Sequence, residues 1–141
     1  MIGTMSENTM TSTNTAAPGV WPCFGFRDAQ AGRRFLAEAL GFTESFVAEG
    51  ADGRVEHAEY LWPEGGGVMF GSLNPGESAG TAVIYIVTAD PDAVHERARA
   101  AGAEIAAAPY DTDYGSRNVT VRDPEGGSWT FGTYAGAAAQ G

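Results

Sequence analysis

Few side chains in this chain can do chemistry. It has two histidines, His57 and His95, one cysteine, Cys23, and 18 acidic against 8 basic residues. His57 stands two residues before Glu59 and one after Glu56 in RVEHAEYLW. Residues two apart on a strand share a face, so His57 and Glu59 form a candidate hydrogen-bonded or acid–base pair. A Zn, Fe or Mn site needs three or four convergent donors, and only His57 with Glu59 or Glu56 begins one. His95 lies beside Glu96 and Arg97 in PDAVHERARAAG, which predicts a solvent-facing place on an amphipathic helix. Tyr110 and Arg117 flank the loop sequence DTDYGS, which contains Tyr114; Arg117 either orients a ligand or pins that loop through Asp111 and Asp113. Cys23 and Ser116 have no base arranged beside them in the sequence, so no nucleophile and no catalytic residue is assigned.

The elements that must position these residues come in two copies. PEGGGVMFG at 63–71 and PEGGSWTFG at 124–132 share six of nine letters in register, and such self-similarity signals a repeated unit. Before each copy the order is the same. Val20–Phe26 reads as a strand, with Pro22 suited to an edge or a strand start. Asp28 can cap a helix through AQAGRRFLAEALG, with Phe35, Leu36, Ala39 and Leu40 on one face and Gly41 at its end. A hairpin follows around Gly50-Ala51-Asp52-Gly53. In the second copy, Ala82–Val87 is a strand, Asp90 caps a helix, Pro91 opens it and Gly102 ends it. AEIAAAP, RNVTVRD and SWTFGTY supply three more strands. The repeated nonapeptide is therefore the last turn and last strand of a duplicated βαβββ unit.

The fold class expected is α+β: two tandem βαβββ modules forming a curved mixed sheet around a concave cleft, with helices on the outside. One module spans 19–73, a turn-rich linker NPGESAGT covers 74–81, and the second module spans 82–134 within one domain, 19–134. Residues 1–18, polar and rich in Ser, Thr and Asn, are expected to be a disordered tail, and 135–141 a loose one.

The formal charge of −10 repels phosphate backbones, which argues against nucleic acid and anionic membrane surfaces. It favours a cationic ligand, or serves as a solubilising surface. No apolar run is long enough to span a bilayer. A single cysteine allows no intrachain disulfide, consistent with a reducing cytoplasm. The PEGG turns are too short for phosphate loops and precede strands, so no cofactor is implied.

RDAQAGRRFLAEALGF, TADPDAVHERARAAGAE and VRDPEGGSWTFGTY, set in paired βαβββ units, resemble the vicinal oxygen chelate superfamily of glyoxalase I, extradiol dioxygenases and bleomycin-resistance proteins. HAEYLWPEGGGVMFGS with the later YGSR and RDPEGGSW looks closest to the bleomycin-resistance and PhnB-like branch. The resemblance covers residues 20–134. It implies that four strands each offer one inward side chain, which in metal-dependent members is a His, Gln or Glu. Projected onto this chain, those places fall at Trp21, Met69, Val83 and Thr130. Indole has no free lone pair, Val has no donor, and a thioether with a hydroxyl does not hold a divalent ion. No metal is therefore expected.

The same places would instead form an apolar floor with one hydroxyl. Strand alternation adds Cys23 beside Trp21 and Tyr85 beside Val83. An indole wall with a mobile Met suits a flat conjugated ligand. The expected ligand-binding set is Trp21, Cys23, His57, Glu59, Met69, Val83, Tyr85, Tyr114, Arg117 and Thr130. The expected function is metal-independent binding and sequestration of an aromatic or amphipathic antibiotic or metabolite, by what the resemblance implies is a homodimer. The alternative is a metal-dependent or acid–base lyase, isomerase or dioxygenase of the same superfamily.

Overall fold

The structure is a computed structural model that describes residues 18, 20–78 and 83–137. The expected tails at 1–17 and 138–141 and the part of the linker at 79–81 lie outside the described residues. Each half is built as its sequence requires. The first runs β1 (Cys23–Phe26), α1 (Ala29–Arg34), a π-helical continuation (Phe35–Leu40), β2 (Thr43–Glu49), β3 (Val55–Leu61) and β4 (Gly67–Ser72). The second runs β5 (Val83–Val87), α2 (Pro91–Ala100), β6 (Glu104–Asp111), β7 (Arg117–Arg122) and β8 (Ser128–Gly132).

Both helix starts have the same cap. Asp28 Oδ1 accepts from the Ala31 N–H and Asp90 Oδ1 from the Ala93 N–H, each at 3.0 Å, which satisfies one orphan donor of the first turn. Pro91, with no N–H to lose, sits at the start of α2. Gly41 ends the first helical run in the left-handed region, φ 88°, where a side chain would be strained. The change from α to π winding at Phe35 has no counterpart in the expected single helix. Across it, the Phe35 N–H is shared between the Ala31 and Gly32 carbonyls. The wider winding keeps Phe35, Leu36, Ala39 and Leu40 all buried on one side.

The strands form two four-stranded mixed sheets, ordered β1-β4-β3-β2 and β5-β8-β7-β6. In each, the first strand runs parallel to the last and the other pairs are antiparallel. The two expected βαβββ modules each supply one mixed sheet; both sheets are open, with no ladder between them among the described residues. Alternation divides β3, β4, β7 and β8 cleanly. Ala58, Tyr60, Val68 and Phe70 from the first sheet, with Val119, Val121, Trp129 and Phe131 from the second, join the helices in one buried cluster. Trp129 touches Phe24, Phe35 and Phe42 edge-on, and Trp62 lies against Phe131. These are contacts across the halves, so the two halves share a single core.

Polar contacts lock the halves as well. The Arg27 and Asp28 backbone N–H groups donate to the two carboxylate oxygens of Glu125, each at 2.7 Å. In the mirror relation, the Ala89 N–H and the Thr88 hydroxyl donate to Glu64 at 2.9 and 2.8 Å. The glutamate of each PEGG turn therefore caps the strand–helix corner of the other half. The indole N–H of Trp62 adds a bond to the Val87 carbonyl at 3.1 Å. Away from the seam, Arg33 ties α1 to β2 and β3 through Glu44, Glu49 and the Tyr60 hydroxyl.

Candidate functional site

The helices cover one face of each sheet and leave the other open, and the register assigns side chains to that open face. On the first sheet, Cys23 pairs with Met69, Met69 with Glu59, and Glu59 with Phe46. His57, two residues before Glu59, joins them; its Nε2 lies 2.8 Å from Glu59 Oε2, and its ring centroid 6.1 Å from that of Phe46. Trp21 precedes the strand on the same parity as Cys23. A methyl placed on Gly67 would come within 2.7 Å of the Trp21 indole and 3.0 Å of Leu61. The third glycine of PEGGG thus makes room for Trp21.

On the second sheet, Tyr85 pairs with Thr130 and Thr130 with Thr120, whose hydroxyls lie 2.9 Å apart. Val83 pairs with Ser128, and Val87 with Gly132. Asn118 stands across from Gly132 and from Tyr110. Ser116 and Asn118 are buried, at 3% and 4% exposure, and the Ser116 hydroxyl donates to Asn118 Oδ1 at 2.7 Å. The Asn118 amide points to the Tyr114 hydroxyl at 3.4 Å, and the Tyr85 hydroxyl donates to the Tyr134 carbonyl at 2.7 Å.

The structure therefore brings Trp21, Cys23, His57, Glu59 and Met69 to one open face, and Val83, Tyr85 and Thr130 to the other, with Tyr114 at its rim. It does not bring Arg117 there. Arg117 alternates with Asn118 onto the helix side, where Nε and Nη2 grip Asp92 of α2 at 3.0 and 3.1 Å and Nη1 holds Asp111 at 3.1 Å. Of the two roles open to Arg117, the pinning one describes its contacts, with Asp92 as the partner that sequence proximity did not suggest. Register adds the pairing of the four positions projected from metal-dependent relatives. Cys23, not Trp21, lies directly across from Met69, and Tyr85, not Val83, across from Thr130.

Neither version of that set fits a divalent ion. One thiol is the only strong donor in either; a thioether, a phenol and a hydroxyl do not make up the three or four donors such an ion needs. Among the described residues no three His, Cys, Asp or Glu side chains converge.

Several members of these faces were not in the expected set. Phe46 is one, because a bulge between Glu44 and Phe46 breaks the simple alternation of β2. Asn118 and Thr120 alternate with Val119 and Val121 in RNVTVR, a legible signal that a polar strand face can carry. Tyr134, beyond the observed end of β8, shares the parity of Thr130 in SWTFGTY, a signal that alternation carried. What the faces offer is aromatic and apolar surface that water still reaches: Phe46 is 51% exposed, Tyr85 42% and Val83 68%. A cavity of about 380 Å³ lies at the seam, between β5 and the PEGGG turn, walled by Phe42, Trp62, Val68 and Ile86 and reaching Tyr85 and Val87 of the open face.

This duplicated βαβββ architecture with open sheet faces has a family. The chain belongs to the Glyoxalase/Bleomycin resistance protein/Dioxygenase superfamily, whose model matches residues 23–131. An uncharacterized protein of Mycobacterium bovis is 32% identical over 126 residues, covering 82% of each chain. Among solved structures, TioX from Micromonospora sp. ML1 superposes with a TM-score of 0.67 at 25% identity, over 81% of this chain and 98% of that one. The fosfomycin resistance protein FosX from Mesorhizobium loti gives 0.62 at 16% identity, over 89% and 98%, a likeness of fold alone. No helix among the described residues is long and apolar enough to cross a membrane.

Proposed function

We propose that this protein binds and sequesters an aromatic or amphipathic small molecule, an antibiotic or a metabolite, without a metal ion. The observation that carries the reading is the composition of the open faces. Trp21, Phe46, Met69, Val83, Tyr85 and Tyr110 present apolar and aromatic surface there, with His57, Glu59, Asn118, Thr120 and Thr130 as hydrogen-bonding groups among them. That is the make-up of a small-molecule site, apolar walls with a few placed polar groups, and it lacks the convergent donors that metal chemistry requires. The family description and the FosX name include antibiotic resistance, which suits sequestration. The formal charge of −10 favours a cationic ligand over an anionic one.

Large exposed apolar patches on a soluble domain mark interaction surfaces. The reading therefore includes a homodimer in which a second copy covers these faces and completes the cleft, acting in the cytoplasm. A second reading, acid–base catalysis, is favoured by one contact, the 2.8 Å approach of His57 and Glu59 on an accessible face.

The test is elemental analysis and a thermal-shift screen of planar and cationic antibiotics on one metal-replete preparation. The expected result is metal-free protein, stabilised by at least one compound, with the shift abolished by Trp21→Ala. One divalent ion per chain would sink the reading. Turnover of a bound compound that is lost in His57→Gln would establish the second.

A further inference from the structure

Tyr134 is held to the second sheet's open face in the manner of a bound molecule. After β8 the chain pairs once more with β7, through the Thr133 N–H to the Arg117 carbonyl at 3.2 Å and the Arg117 N–H to the Thr133 hydroxyl at 3.0 Å. It then turns onto the open face. There the Tyr134 N–H donates to Ser116 Oγ at 3.1 Å, and the Tyr134 carbonyl accepts from the Tyr85 hydroxyl at 2.7 Å. Its ring meets Tyr114 edge-on, centroids 5.8 Å apart at 82°. One residue thus has its donor, its acceptor and its aromatic side chain each met by a different part of the fold.

The groups that meet it are built into the domain. Ser116 and Asn118 are two of the three buried polar side chains among the described residues, and their mutual bond aims the Ser116 oxygen. The same Asn118 bonds the Tyr114 hydroxyl through its other end, which sets the ring that Tyr134 meets. Gly132 carries no side chain where a methyl would strike Asn118 Oδ1 and the Tyr85 hydroxyl, both within 2.5 Å. That gap is what lets Tyr85 cross to the Tyr134 carbonyl.

We infer that Tyr85, Tyr114 and Ser116 form a subsite for an aromatic residue in amide linkage, one that the chain's own Tyr134 occupies and a ligand enters by displacing it. The ligand class is a molecule with an aryl group flanked by an amide N–H and a carbonyl, as in a peptide or peptide-like compound. This inference rests on the reading of the open face as a ligand surface and narrows it. The segment carrying Tyr134 is tethered one residue from β8, so it competes at high effective concentration. Binding to the intact protein is therefore weakened relative to a chain whose strap is released.

The probe is N-acetyl-L-phenylalaninamide, which carries the N–H, the carbonyl and the ring of Tyr134 without its hydroxyl. Tyr134→Pro removes both the N–H and the ring while leaving the three subsite residues in place; Tyr134→Gly removes the ring alone. By NMR titration, the probe should bind Tyr134→Pro with a dissociation constant in about the millimolar range, and bind the unaltered protein at least about tenfold more weakly. Adding Tyr85→Phe to Tyr134→Pro should weaken the probe about five- to tenfold through one lost hydrogen bond. Tyr134→Gly should fall between the unaltered protein and Tyr134→Pro, which keeps the comparison available if proline disturbs the fold. Equal affinity for all of these chains, or no binding to either Tyr134 variant in its folded form, overturns the subsite. In that case a compound found by thermal shift, with its dependence on Trp21, would still stand.

Discussion

Trp21 and Gly67 occupy one volume: the indole takes the space that a side chain on Gly67 would need. A methyl there would come within 2.7 Å of Trp21 and also of the Tyr60 carbonyl. Gly67→Ala should therefore destabilise the domain by about 1–3 kcal/mol, the range of an overpacked site. Trp21→Ala in the same chain should return part of that loss and leave the part due to the Tyr60 carbonyl. Urea unfolding of the two single variants and the double gives the coupling, and strict additivity would mean the two groups do not share the space.

Glu64 and Glu125 should carry stability across the seam. Glu125→Ala leaves the Arg27 and Asp28 N–H groups without their partner, and the expected cost is about 1–2 kcal/mol, as for a lost cap with a charged acceptor. Glu64→Ala should cost a similar amount, since the Ala89 N–H and the buried Thr88 hydroxyl lose theirs. Equilibrium unfolding in urea reads both. A change below about 0.3 kcal/mol in both would mean that water replaces the clamps without loss.

Arg117 should prove a structural residue. Its bonds to Asp92 and Asp111 hold Asp92 below the usual carboxylate range and keep the arginine itself firmly protonated. All three groups are accessible to salt, so Arg117→Ala should lower the melting temperature more in dilute buffer than in 1 M salt, where screening is nearly complete (Debye length about 3 Å). Ligand-induced shifts should be unaltered. Loss of ligand binding in this variant, with the melting temperature unchanged, would return Arg117 to the site.

The Arg33–Tyr60–Glu44 junction should leave a mark at both ends of the pH scale. The Tyr60 hydroxyl and Arg33 together hold Glu44 below the ordinary carboxylate range. A depressed folded value means that the contribution is present above the unfolded value of about 4.3 and is lost as pH falls through the lower, folded one. Burial pushes Tyr60 up from its ordinary value. Its contribution is whole below the unfolded value of about 10 and is lost as pH rises through the raised one. Glu44→Gln should flatten the acid limb of a stability–pH curve, and Tyr60→Phe the alkaline limb. Curves that keep both slopes would place the titration elsewhere.

The strands and helix starts were legible because their signals are local. Asp28 and Asp90 stand where a cap must, Gly41 and Gly102 where the helices end, and the valines of RNVTVR alternate with polar residues as a half-buried strand requires. The open faces followed from alternation wherever the strands are regular, which is why Trp21, Cys23, His57, Glu59 and Met69 fall together. Where a strand bulges, as at Phe46, counting by two fails. Register across strands was not available from spacing within one, so the pairing of Cys23 with Met69 and of Tyr85 with Thr130 could not be read in advance. Arg117 was ambiguous because its main partner, Asp92, lies on a helix 25 residues away. Nothing in PEGG suggested that its glutamate would serve the opposite half, since that contact exists only once two halves are assembled.

That crossed arrangement of Glu64 and Glu125 has a bearing on descent. Each half holds the glutamate that finishes the other's helix corner, so one half in isolation has an acid with nothing to cap and a corner with nothing to cap it. A single βαβββ chain could have met both needs only by pairing with a copy of itself, each lending its turn to its twin. Joining two such copies through residues 74–81 would turn that exchange into an internal one. The two genes' worth of sequence could then diverge, Gly67 yielding to a tryptophan in one half while Ser128 stays beside a valine in the other. The near-identical nonapeptides lie at the two places where the crossed contact is made.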